Sequence, residues 1–157
     1  MALGENAQRA NGLLSIVSWT VIVAVPLGAL LAERLHRPLA TMLGCFLISA
    51  LAICALPAVG GSVPLLIAIG LIFGPAAGLI MALPGEALPP QRRAVGMGIY
   101  FTGYYVGIGV APGLAGLARD ASGSASAPLY LAAALLVGAA ALLIAFRAVR
   151  AQAMSTT

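Results

Sequence analysis

The chain has 157 residues, 62% of them hydrophobic and 8% charged, with a formal net charge of +4. A soluble domain carries about 25% charged and 45–50% apolar residues, and eight basic plus four acidic side chains do not cover a core of this composition. An ordinary water-soluble domain is thereby excluded, and the bilayer is the natural solvent. Every basic residue is Arg. These arginines punctuate apolar runs, which is a topology signal and not the footprint of a nucleic-acid binder.

In chain order, residues 1–12 (MALGENAQRANG) form a polar, extracytoplasmic lead-in. No cleavable signal peptide is expected, because the apolar run that follows is too long for one and no small-residue cleavage site lies behind it. Ala10 to Ala32 is free of charge, and Glu33, Arg34 and Arg37 follow. Pro38 to Gly85 is charge-free, then come Glu86, Arg92 and Arg93. Ala94 to Ala118 is charge-free up to Arg119 and Asp120, and Ala121 to Phe146 is charge-free up to Arg147 and Arg150. About 20 apolar residues at 1.5 Å each cross a hydrocarbon core of about 30 Å. The longest run therefore holds two spans, broken at Pro57-Ala-Val-Gly-Gly-Ser-Val-Pro64. Five helices are expected, at about 13–32, 39–57, 64–84, 94–117 and 128–147, forming a transmembrane bundle over 13–147 with a cytoplasmic tail at 148–157. Membrane strands would alternate apolar with polar residues, and these runs do not.

Arginine counts set the orientation. Arg34, Arg37, Arg92, Arg93, Arg147 and Arg150 fall on one side, Arg9 and Arg119 on the other. The first and third loops and the C-terminus are then cytoplasmic, in a cytoplasmic (inner) membrane, with the N-terminus outside. An odd number of spans with the N-terminus outside and no signal sequence suggests that spans upstream are missing.

Within the helices, Gly70, Gly74 and Gly78 lie four apart, as do Gly103 with Gly107 and Gly109 with Gly113, and Gly116 lies beyond. Such spacing makes flat stripes for close helix packing, static or sliding. Pro26, Pro75 and Pro112 each remove a helical hydrogen bond and are expected to kink their helices. Ser18, Trp19, Tyr100, Tyr104 and Tyr105 either line a cavity or an interface between helices, or belong to an interfacial aromatic belt. Cys45 and Cys54, nine apart on one helix, point to opposite faces and serve as small apolar packers. No span has a charge at its centre, so no proton relay is visible. Neither a nucleophile–base pair nor a metal-ligand spacing is present; no enzyme activity, metal or cofactor is expected. His36, between Arg34 and Arg37, is a solvated loop residue.

Three stretches carry a resemblance. GALLAERLHRP, residues 28–38, is similar to the cytoplasmic G-x-L-A-D-R-x-G-R-R loop that follows the second helix of each half in major facilitator superfamily transporters. MALPGEALPPQRRAVGMGIYFTGYYVGIGVAPGLAGLARDASGS looks like that family's tenth and eleventh helices. GENAQRANGLLSIVS resembles the outer loop and start of the eighth. The resemblance implies helices eight to twelve of a twelve-helix protein, all-α and membrane-embedded, that works with an absent N-terminal half and carries a solute between the two halves by alternating access. It implies a conformational latch at Gly28, Glu33, Arg34 and Arg37. Aligned on the acid, Glu33 replaces the motif's Asp, Arg34 and Arg37 match, His36 stands at its second Gly, Pro38 at its last base, and Gly28 lies one place early. It also implies that the first and fourth spans meet the other half, the third borders the cavity, and the second and fifth face lipid. The substrate is a small molecule that no residue names. The other reading is a non-transporting scaffold or assembly subunit that binds a membrane partner through its glycine faces.

Overall fold

A computed structural model describes residues 2–59 and 62–155, and their side chains except at 2–10, 14, 29, 31–33, 35, 83–87 and 150–155. The described residues form α1 (Ala2–Leu35), α2 (Pro38–Ala55), α3 (Val63–Ala87), a 3₁₀ turn (Pro90–Arg92), α4 (Arg93–Ser122) and α5 (Ala127–Ser155). No strand occurs among them. All five α-helices contain a stretch long and apolar enough to cross a membrane. In hydrocarbon a chain must satisfy its own backbone, and a helix does this within one segment.

Four of the helices outrun the expected spans, whereas α2 ends at Ala55, two residues short of the expected end at 57. Residues 2–12 extend α1 at its N-terminal end, and α5 runs on to Ser155. Helix formation does not stop where hydrophobicity does: the first extension carries the good helix formers Ala, Leu, Glu, Gln and Arg, and the second Ala, Arg, Gln and Met. The ends are set by backbone chemistry. α1 stops before His36, whose φ of +49° is left-handed. Pro38 opens α2 at its first turn, where its missing N–H is no loss. The Arg37 carbonyl there accepts both the backbone N–H and the Oγ1–H of Thr41, each at 3.1 Å. Gly123, with φ +63°, ends α4 in the left-handed conformation that suits glycine.

Two packing centres hold the bundle. The first is a core of Met42 and Phe46 from α2, Ala76 from α3, and Ala140 and Leu143 from α5. The second is the α1–α3 pair. Gly70 lies against Thr20 and the Val17 carbonyl, Gly74 against Ala24, Gly78 against the Val25 carbonyl, and Gly28 against Pro75. Residue numbers rise together on the two helices, so α1 and α3 run parallel. α2 packs on α3 and α5, and α4 packs on α5 with a lighter contact to α3.

Candidate functional site

α1 turns two different faces outward and inward. At 100° per residue, Thr20, Ala24 and Gly28 share the side that meets α3. Ser15, Ser18, Trp19, Ile22 and Pro26 lie on the other side and are exposed, Trp19 at 70%. A shallow depression of about 370 Å³ on this face is lined by Asn11, Ser15, Ser18, Trp19 and Ile22. Its local polarity is partly spent, because Ser15 donates to the Asn11 carbonyl at 2.9 Å.

α4 differs from every neighbour in having no buried residue along its length. Its packed side carries Gly96, Met97, Tyr100, Phe101, Ala115 and Ala118, all half-buried. Tyr100 donates from its hydroxyl to the Ile80 carbonyl of α3 at 3.4 Å, tying the two helices together. On the far side, Gly98, Thr102, Tyr105, Gly109, Gly113 and Gly116 follow one another at steps of three and four and form a single exposed strip. A Cβ placed on any of these glycines, or on Gly103 or Gly107, meets nothing within 4 Å. Large apolar residues, among them Val95, Ile99 and Leu117, run beside the strip.

The aromatic residues form a stack along α4. Tyr100 and Phe101 meet edge to face at 5.4 Å, as do Tyr104 and Tyr105, and Phe101 links the pairs at 6.4 Å. Tyr105 is 66% exposed and Tyr104 39%. Thr102 donates to the Gly98 carbonyl at 2.9 Å, so its hydroxyl is occupied within the helix.

The sequence-predicted residues therefore separate into groups. Gly70, Gly74 and Gly78 lie on the α1–α3 seam, while Gly103, Gly107, Gly109 and Gly113 lie on open surface. Pro26 and Pro112 are exposed and Pro75 is buried, and all three lie within continuous helix. Of the four latch positions, Gly28 is buried in α1 with Pro75 overhead, seven residues before the helix ends. Arg34 is exposed on the last turn of α1 and Arg37 is exposed in the turn that follows. The Glu33 side chain lies outside the described residues. Cys45 and Cys54 are unbridged thiols on α2.

The left-handed φ of His36 falls where the facilitator motif has its second glycine. A non-glycine residue held there costs about 1–2 kcal/mol. His36→Gly is therefore expected to stabilise the chain by about 1 kcal/mol, read as a raised unfolding midpoint in detergent. An unchanged or lowered midpoint counts against a strained turn.

One residue escaped the sequence reading. Ser49 of α2 is fully buried and its Oγ has no hydrogen-bond partner among the described residues. An orphaned hydroxyl of this kind costs about 1–3 kcal/mol. A single Ser inside FLISALAIC gives no sign of it, because the helices around it come from distant segments.

Five long apolar helices, continuous along their length and arranged around an α2–α3–α5 core, define a multi-pass α-helical membrane protein. The family model described as the Major Facilitator Superfamily matches residues 2–156, and the chain belongs to that superfamily, whose members are transporters. No curated protein and no solved structure matches the chain.

Proposed function

We propose that the chain supplies helices eight to twelve of a secondary active transporter that moves a small solute across the cytoplasmic membrane by alternating access. It works with a second half that covers α4 and the outer face of α1. The observation that carries this reading is the far side of α4. Helix faces that rest against lipid are filled by large apolar side chains, as α5 does with Leu142, Ile144 and Val149, all more than half exposed. Apart from the Tyr105 ring, the strip of Gly98, Thr102, Gly109, Gly113 and Gly116 offers lipid little to contact. It suits a close helix partner or a path for solute, because small residues let backbones approach and lipid supplies no drive of its own. Trp19 and Tyr105 present broad rings with a polar edge toward that path, and Ser18 lies beside Trp19. Arg34 and Arg37, with Glu33, hold the latch turn at the cytoplasmic end. The N-terminus is outside and the C-terminus cytoplasmic, as arginine bias directs. The chain has no enzymatic role and no contact with nucleic acid.

The test is solute flux. The product of the whole reading frame that contains this chain, in proteoliposomes, is expected to concentrate at least one solute from a panel of neutral and zwitterionic small molecules. The chain alone is expected to pass none. Absence of flux from the whole product, with correct insertion verified, would leave the scaffold reading in its place.

A further inference from the structure

The fold sorts charge by end. α1 and α3 run parallel along their glycine seam. The late turns of α3 meet the early turns of α4, through Ile80 with Tyr100 and, just past α3, Leu88 with Gly96. Met42, early in α2, clusters with Ala140 and Leu143, late in α5. The ends of α1, α3 and α5 and the starts of α2 and α4 therefore gather at one end of the bundle. Arg34, Arg37, Arg92, Arg93, Arg147 and Arg150 all fall there, with Glu33 and Glu86 as the only acids. Glu5, Arg9, Arg119 and Asp120 fall at the opposite end and cancel. The whole net charge of +4 thus resides at one end.

Orienting the chain at insertion uses these arginines once; in the folded protein they remain as a surface. Arg34, Arg37, Arg92 and Arg93 are exposed. Among the described residues no hydrogen bond or ion pair engages their guanidiniums. They also stand at headgroup depth. The charge-free stretch of α1 ends at Ala32, and those of α2 and α4 begin at Pro38 and Ala94. Arg34, Arg37 and Arg93 lie within about 3 Å of these edges along a helix axis. An arginine so placed keeps its stem in hydrocarbon and its head among phosphates. Its planar fork matches the oxygens of a phosphate. A zwitterionic headgroup brings its own cation to that phosphate, and an anionic one leaves the phosphate to the protein.

We propose that this end of the bundle is a binding surface for anionic phospholipid headgroups, with the α1–α2 turn and the α3–α4 connection each contributing a pair of arginines. The surface needs neither the far side of α4 nor a second half, so it stands or falls apart from the transport reading. The probes are phosphatidylglycerol and phosphatidylcholine, each with a photoreactive diazirine near the headgroup. They are used one at a time in vesicles of equal parts phosphatidylglycerol and phosphatidylcholine that hold the full chain, and labelling is mapped by mass spectrometry. Both leaflets carry the same lipids, so the reading does not depend on which way the chain inserts. Phosphatidylglycerol is expected to label residues 34–41 and 88–95 about fivefold more than phosphatidylcholine does, the order of one arginine near an anionic surface. Residues 119–127, at the opposite end, should show no preference. Arg34→Gln combined with Arg37→Gln should abolish the preference at 34–41 and keep it at 88–95, and Arg119→Gln should change neither. The preference should also fall between about 0.01 and about 1 M sodium chloride, as the screening length shrinks from about 30 to about 3 Å. Sodium phosphate should lower it no further than sodium chloride of the same ionic strength. Equal labelling by the two lipids, an equal preference at 119–127, or a preference that survives the double variant or high salt overturns the proposal. A larger loss in phosphate overturns it too, by making the surface a site for free anions. The two-lipid comparison on the parent chain decides even if a variant fails to fold.

Discussion

Gly28→Ala is expected to destabilise the bundle by about 1–3 kcal/mol, although it adds a single methyl group and improves helix propensity. The reason is what the methyl meets. A Cβ at Gly28 would stand 2.5 Å from both the Cα and the carbonyl oxygen of Pro75. Those are backbone atoms of α3, and no rotamer moves them aside. To reach an ordinary separation of about 3.5–4.0 Å, α1 must retreat by about 1 Å. Retreat loosens the whole parallel seam, because Ala24 against Gly74 and Thr20 against Gly70 sit on the same pair of helices. Close packing is the main attraction between helices in lipid, so the loss is not made up elsewhere. Gly113→Ala is the matched control: nothing lies within 4 Å of its Cβ, and its effect is expected to stay within about 0.5 kcal/mol. Unfolding by denaturing detergent in mixed micelles, followed by helix content, measures both. Equal midpoints for Gly28→Ala and the parent would remove the seam from the account.

The second large effect is expected on transport and not on stability. Gly109→Leu and Gly113→Leu place isobutyl groups on the open strip of α4, where the chain itself has room for them. The chain's own unfolding midpoint should barely change. In the assembled transporter, the same groups push apart helices that approach through small residues. Overpacking of about 1–3 kcal/mol at a contact that must form in each cycle corresponds to loss of flux on the order of tenfold or more. Leu142→Ala on α5, a change on an exposed surface, should leave flux within about twofold, in line with other exposed substitutions. Full flux in both α4 variants would mean that the strip faces lipid.

The number and order of the helices were legible because charge-free runs longer than the membrane is thick have one physical solution. Their ends were less so. Glu33 and Arg34 belong to the last turn of α1 although they lie outside the charge-free stretch, since the backbone stops only where His36 turns left-handed and Pro38 restricts Arg37. The glycine spacings were visible, yet Gly70–Gly74 and Gly109–Gly113 look alike in sequence. Only the fold separates them, because a stripe does not say which helix comes to meet it. Gly28 drew notice as part of a loop pattern, while its neighbour in space is Pro75, far along the chain. Tyr100 and Tyr104 share a helical face, but the structure commits the Tyr100 hydroxyl to α3. Ser49 gave no signal, since burial by neighbouring helices has no local signature.

In the proposed transporter the far side of α4 borders a solute path and not lipid. Single cysteines at Thr102, Tyr105, Gly109 and Gly113, in a background without Cys45 and Cys54, test it most directly in native membranes with a membrane-impermeant maleimide. These positions are expected to react from at least one side of the membrane, while cysteines at Leu142 and Ile144 of α5 are not. Protection of the α4 positions equal to that of α5 would contradict it.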